Sequence, residues 1–234
     1  MSADSFSFKQ FTVYHDRCAM KVGTDAVLLG AWADVVQAHR ILDIGTGTGI
    51  IALMLAQRCD AAITAVDLDE NAVMQAKENV RQSPWGNRIE VVQYDIRDYS
   101  VSVRFDCIVS NPPYFVDNLK SPEQQRSMAR HTDSLSYRDL LRSVDTLLSA
   151  DGRFSVILPA DALDSFWSTA MEFKLYPCRQ LQVMTKATAP VKRILLELRR
   201  QSTDYSMERL IMRDESGEYS DAYRKLTQDF YIKL

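Results

Sequence analysis

At 234 residues the chain is long enough to bury one sizeable core but not two, and it reads as a single domain spanning 1–234. Hydrophobic and charged fractions of 46% and 25% exclude disordered and fibrous classes. A formal net charge of −3 excludes a protein that coats nucleic acid indiscriminately, because that affinity comes from neutralised phosphates, but it leaves room for a local basic face.

The apolar runs, such as Gly49 to Ala56, are too short to cross a bilayer. Met1 to Gln10 lacks a basic stretch followed by an apolar one, so a cytoplasmic protein with no membrane partner is expected, acting as a monomer. Cys18, Cys59, Cys107 and Cys178 are scattered and only three histidines are present, so neither a disulfide framework nor a metal site is expected.

In chain order, Phe8, Phe11, Val13 and Tyr14, followed by Met20 to Asp25, predict a hairpin that runs into a helix. This stretch is too short for a second domain and is read as an extension over residues 1–36 that covers the site. Arg40 to Asp43 is the first strand of the main sheet, and Asp43-Ile44-Gly45-Thr46-Gly47-Thr48-Gly49 then forms a turn into a helix over Ile50 to Arg58. Strands are expected at Ala62 to Asp67, Ile89 to Gln93, Phe105 to Val109 and Arg153 to Leu158, the last after a turn at Asp151-Gly152. Between them Ala72, Val73, Ala76 and Val80 share one helical face, as do Tyr137, Leu140, Leu141, Val144 and Leu148. A helix from Asp161 to Phe173 precedes two long runs, Arg179 to Thr185 and Val191 to Arg199, joined by a loop containing Pro190. The fold class that follows is α/β, a doubly wound, Rossmann-like sheet of seven strands with an antiparallel C-terminal hairpin.

Two motifs carry chemistry. Three alternate glycines after a strand bring bare backbone and N–H groups up to a ligand. The dinucleotide fingerprint would require a glycine at position 50, where the chain has Ile50, which disfavours a dehydrogenase. The second motif is Asn111-Pro112-Pro113-Tyr114. Proline fixes its own φ and drives the preceding residue to extended geometry, so Asn111 and Pro112 present an amide oxygen and a carbonyl oxygen outward. Two acceptors beside the Tyr114 ring suit a flat group bearing an NH₂, such as adenine.

With Asp43 at the strand end, the glycine pattern resembles the first motif of class I S-adenosylmethionine-dependent methyltransferases. In that comparison Asp67 accepts the ribose hydroxyls, with Leu68 beside it, and Asp95 accepts the adenine amino group, with the Ile96 backbone also meeting adenine. Asp43 would help to position the methionine amino group. For Asp95 a plain capping role competes, and Asp98 competes with it for the adenine contact, whereas Asp69 is better placed than Asp67 to cap the next helix.

Asn-Pro-Pro-Tyr is shared by adenine N6, guanine N2 and glutamine N5 methyltransferases, so it fixes the chemistry better than the substrate. The stretches Phe11 to Trp32 and Tyr219 to Leu234 resemble the bacterial tRNA(Val) adenine-37 N6-methyltransferase family, and the likeness extends over nearly the whole chain. It implies S-adenosylmethionine as cofactor, tRNA as substrate, an anticodon-loop purine as target, and Lys21, Thr24 and Asp25 near the cofactor or target. Catalytic roles fall to Asn111, Pro112 and Tyr114, with Asn111 also near the cofactor alongside Gly45, Gly47 and Gly49. Pro113, Tyr114, Arg126, Arg130 and Arg138 are the candidate substrate contacts.

The wider basic face comprises Lys120, Arg126, Arg130, His131, Arg138 and Arg142, and separately Lys186, Lys192 and Arg193; a merely solvated surface is the competing reading. A glutamine N5-methyltransferase would carry a helical substrate domain before the first strand, and a DNA adenine methyltransferase a target-recognition domain. A guanine N2 rRNA methyltransferase and a non-catalytic RNA- or cofactor-binding module are the remaining alternatives.

Overall fold

The computed structural model describes residues 4–18, 21–113 and 135–233. Its N-terminal segment forms a two-stranded antiparallel hairpin, β1 (Ser5–Ser7) and β2 (Thr12–Tyr14), followed by α1 (Thr24–Trp32). The alternating unit comprises β3 (Arg40–Ile44), α2 (Ile50–Arg58), β4 (Ala62–Asp67), α3 (Glu70–Arg81), β5 (Ile89–Gln93) and β6 (Phe105–Ser110). After it come α4 (Tyr137–Leu147), β7 (Leu148–Pro159), a 3₁₀ turn at Ala160–Ala162 and α5 (Leu163–Glu172). The chain closes with β8 (Tyr176–Met184), β9 (Val191–Arg199), β10 (Ser206–Ile211) and α6 (Asp221–Thr227).

The main sheet has the order β10-β8-β9-β7-β6-β3-β4-β5, and every strand is parallel except β9. The α/β class and the antiparallel hairpin are as the sequence predicts, but the strand count is eight rather than seven. The extra strand, β10, is an edge strand with a mostly exposed face, so Ser206 to Ile211 lacks the apolar run that marks a buried strand. β7 begins at Leu148, before the Asp151-Gly152 turn expected to precede it, because the pairing register with β6 shifts between Phe105 and Cys107 and accommodates the extra residues.

The strands alternate their side chains between two cores. Ile41, Cys107 and Val109 face one layer, built on α1, α2, α3 and α6, while Leu42, Ile108 and Phe154 face another, built on α4 and α5. Phe8 and Phe11 of the hairpin loop join the first layer, where Phe8 lies 5.8 Å from the Tyr231 ring and Phe11 5.7 Å from Trp85. Burying each such side chain stabilises the fold by roughly 1.5–3 kcal/mol, which ties the two ends of the chain to the central layer.

The β8–β9 hairpin is held to α1 at both ends. Arg179 lies over the Trp32 ring at 3.9 Å and pairs with the buried Glu197 at 3.0 Å, while Arg193 pairs with Asp25, in the first turn of α1, at 2.8 Å.

Candidate active site

The strand order changes direction between β3 and β6, and in open α/β sheets ligands bind outside the carboxyl ends of the strands at such a point. Ile44 lies opposite Ser110 across this pair, and the Ser110 hydroxyl donates to the Ile44 carbonyl at 2.9 Å. The glycine turn after β3 and the Asn-Pro-Pro turn after β6 therefore leave the sheet side by side.

Between them opens a cleft with two lobes. One, of about 330 Å³, is lined by Lys21, Thr24, Asp25, Thr46 and Pro112 among others; the second, of about 220 Å³, by Asp67, Leu68, Tyr94, Asp95, Ile96 and Leu135 among others. Gly45, Gly47, Asn111 and Pro113 line both.

The glycine turn is shaped by backbone hydrogen bonds. Gly45 and Thr46 N–H groups donate to the Val66 carbonyl at 2.9 and 3.1 Å, and Gly47 N–H donates to the Asp67 carboxylate at 2.8 Å. Gly45 and Gly47 adopt φ of +71° and +55°, and a Cβ at either would project into open space. Their missing side chains make the floor of the cleft, a cradle that a flat or extended ligand fills. Gly49 has a different role: it is not among the lining residues, and a Cβ there would come within 3.3 Å of Ala76 Cβ on α3.

Asp67 ends β4 with one oxygen on Gly47 N–H and the other accepting Asp69 N–H at 3.0 Å. Asp69, not Asp67, caps α3, accepting from Asn71 N–H at 2.9 Å, as the sequence indicates. Asp95 lines the second lobe and Asp98 does not. Its carboxylate accepts the Arg97 N–H and guanidinium, both at 2.9 Å, and the guanidinium bond holds the carboxyl below the usual carboxylate range.

Asp43 is wholly buried beneath the turn. One oxygen accepts from the Thr46 hydroxyl at 2.6 Å, and the other has no close hydrogen-bond partner, the Ala52 N–H of α2 acting on the carboxylate more weakly. Burial pushes its pKa up to about 7, against the opposing pull of the Thr46 bond. Asp43 lines neither lobe of the cleft, so any help it gives to the amino group of a methionine moiety would pass through the turn it supports or a bridging water.

Because the folded-state value is raised from 3.8, the native state holds this proton more tightly than the unfolded chain. The stability it confers is full below about pH 4 and is lost as pH rises through 7, at up to about 1.4 kcal/mol per pH unit. Asp43→Asn keeps the shape without the charge, so the cofactor-free variant should gain stability relative to wild type between pH 5 and pH 8. Denaturant titrations at the two pH values check this, and a gap that does not change with pH removes Asp43 as the titrating group.

Two buried amides of α3 that the motifs do not mark support the site. Asn79 on α3 is fully buried, accepts from Tyr14 N–H at 2.9 Å, and donates to the carbonyls of Tyr14 at 2.9 Å and Thr48 at 2.8 Å. One turn earlier, Gln75 accepts from Arg17 N–H at 3.0 Å. These amides join the N-terminal segment to the glycine turn, and removing such a partner costs about 1–3 kcal/mol per buried group left unmet. The signal was present: Gln75 and Asn79 interrupt the apolar face of α3 with polar side chains. None of the hairpin's described residues lines the cleft, whereas Lys21 and Gly23, Thr24, Asp25 and Ala26 of the extension supply its wall.

Of the expected RNA contacts, Tyr114, Arg126 and Arg130 lie outside the described residues, as do Lys120 and His131. Arg138 is paired with Glu172 on α5 at 2.7 Å, and Arg142 with Asp139 at 2.8 Å. Among the described residues no cluster of three or more His, Cys, Asp or Glu is arranged for a metal, and no helix is long and apolar enough to cross a membrane.

This cleft can be set beside known proteins. Residues 18–154 match the profile of the methyltransferase small domain family. The tRNA1(Val) (adenine(37)-N6)-methyltransferase of Bacteroides fragilis is 55% identical over the full length of both chains. The chain belongs to this methyltransferase family. A Pectobacterium carotovorum relative of the same name is 47% identical, over 98% of this chain and 94% of its own. The fold agrees: a predicted O-methyltransferase from Agrobacterium tumefaciens superposes with a TM-score of 0.70 at 18% identity, covering 88% of this chain and 96% of that one. As a member of the family, the protein is an S-adenosylmethionine-dependent methyltransferase, and the glycine cradle, Asp43 and Asp67 suit that cofactor.

Proposed function

We infer that the protein transfers a methyl group to the exocyclic N6 of adenine 37 in tRNA1(Val), the activity in the names of its relatives. The observation that carries the reading is Asn111 standing in the wall common to both lobes of the cleft, so that acceptor and donor sides meet at one amide. When bound, the cofactor supplies an electrophilic methyl group on sulfonium. In the second lobe Asp67 would hold the ribose hydroxyls of its adenosine, and Asp95 and Ile96 its adenine. Lys21 and the N-terminus of α1 at Thr24 would offer positive charge and N–H groups to its carboxylate.

Adenine N6 is a weak nucleophile because its lone pair is conjugated with the ring. Acceptance of its two hydrogens by the Asn111 side chain and the Pro112 carbonyl turns that lone pair outward and stabilises the positive charge that grows on nitrogen. No strong base is needed, since the alkylated nitrogen becomes acidic and loses its proton late. On this reading the protein acts in the cytoplasm, where tRNA resides, and as a monomer.

The test is to incubate the protein with unmodified tRNAs and labelled S-adenosylmethionine and to digest the product to nucleosides. Label in N6-methyladenosine, in tRNA1(Val) alone, is expected; label in a methylguanosine would replace the reading with the guanine N2 one. A target adenine has to leave its stack, and Tyr114 is assigned to receive its face, a contact worth roughly 1–3 kcal/mol. Tyr114→Ala should therefore lose most activity on tRNA while Tyr114→Phe retains much of it. If the two are equally inactive, the hydroxyl is the working group and not the ring.

A further inference from the structure

We propose that the turn between β8 and β9, carrying Lys186 and Lys192, is the surface that receives the phosphate backbone of the tRNA beside the target base. The proposal rests on the RNA-methylating function inferred above. Because β8 runs parallel to β6 and β9 antiparallel to it, the end of β8 and the start of β9 lie at the same edge of the sheet as Asn111. Neighbouring strands are about 4.8 Å apart, so β9 and β8, two and three strands from β6, bring this turn within roughly 10–15 Å of the Asn-Pro-Pro turn. That is the reach of a few nucleotides.

The charge pattern distinguishes this turn from the other basic residues. From Thr185 to Arg193 there are three cations and no carboxylate. Lys186 and Lys192 are exposed, and among the described residues their ammonium groups have no hydrogen-bond or ion-pair partner, whereas Arg138 and Arg142 of α4 are matched by Glu172 and Asp139. The next loop at this edge, Arg213 to Glu218, contains Asp214, Glu215 and Glu218 and repels phosphate. On the cleft side Arg193 is paired with Asp25 at 2.8 Å, which neutralises it and anchors the base of the turn to α1. Two unpaired ammonium groups on an anchored turn position a polyanion without reading its sequence.

The experiment compares two charge reversals of equal size in the full-length protein: Lys186→Glu with Lys192→Glu, and Arg40→Glu with Arg104→Glu, whose residues are exposed at the opposite edge of the sheet. The measurements are KM and kcat for unmodified tRNA across a salt series, cofactor affinity, and direct binding of a labelled anticodon stem-loop RNA. The lysine pair should raise KM and the RNA dissociation constant at least tenfold and make the log–log salt dependence shallower by about 1.5, the share of two lost phosphate contacts, with cofactor affinity unchanged. The opposite-edge pair should stay within twofold of wild type. A lysine variant within twofold of wild type, or an opposite-edge variant impaired to the same degree, overturns the docking surface. Should wild type bind the stem-loop but methylate no tRNA, the inferred function fails while the binding comparison still decides the surface.

Discussion

Asn111→Ala is expected to lower kcat for tRNA by roughly 10²-fold or more while cofactor affinity stays near wild type. The asymmetry follows from where the side chain acts. Its amide oxygen is assigned to a hydrogen on N6, and the strength of that contact rises as positive charge develops on the nitrogen, so its removal is felt mainly in the transition state. Asn111 stands in the wall shared by the two lobes, and truncation there leaves the Asp67 side of the cleft and the glycine turn intact. Steady-state kinetics with calorimetry of cofactor binding separates the two effects. A near-normal kcat sinks the assignment, and a loss confined to cofactor affinity would move Asn111 from the reaction to donor binding. Asn111→Asp tests the same point from the other side: it keeps an acceptor and loses the amide dipole, and should retain more turnover than the alanine variant.

For Asp67→Ala the loss should appear in cofactor binding, weakened by roughly 1.5–3 kcal/mol, the scale of hydrogen bonds to a charged group. The structure adds a second reason for a large effect. The Asp67 carboxylate also takes the N–H of Gly47 at 2.8 Å, so the residue assigned to the ribose hydroxyls helps to hold the glycine cradle in shape. Asp67→Asn separates these roles, because one amide oxygen can still accept from Gly47 while the carboxylate charge is gone. Calorimetry on both variants gives the comparison, with circular dichroism to establish that each is folded. Unchanged affinity in a folded Asp67→Ala protein removes the residue from the site.

Much of this arrangement is legible in the chain because its signals are local. β4, β5 and α2 fall at the boundaries that period and turn chemistry predict, and β3 and β6 each run one residue further. Glycine spacing marks the turn, and proline geometry marks Asn111. Where a signal depends on a distant partner, the sequence locates it only approximately. The start of β7 at Leu148 depends on its offset pairing with β6, and β10 is a strand only because β8 offers it an edge. Likewise Gly49 appears among the cofactor glycines by spacing, yet its neighbour is Ala76 of α3.

The sequence by itself determined the alternating α/β class, the antiparallel hairpin, the glycine cradle and the acceptor motif, since each rests on residues a few positions apart whose backbone preferences do not depend on context. Only the tertiary structure decided which charges remain available and which polar groups are spoken for. Arg138 meets Glu172, Arg193 meets Asp25 and Asn79 bridges Tyr14 to Thr48, all pairings between elements far apart in the chain. Electrostatic partnership depends on distance in space, and that distance is set by the packing of whole elements, so no local pattern contains it.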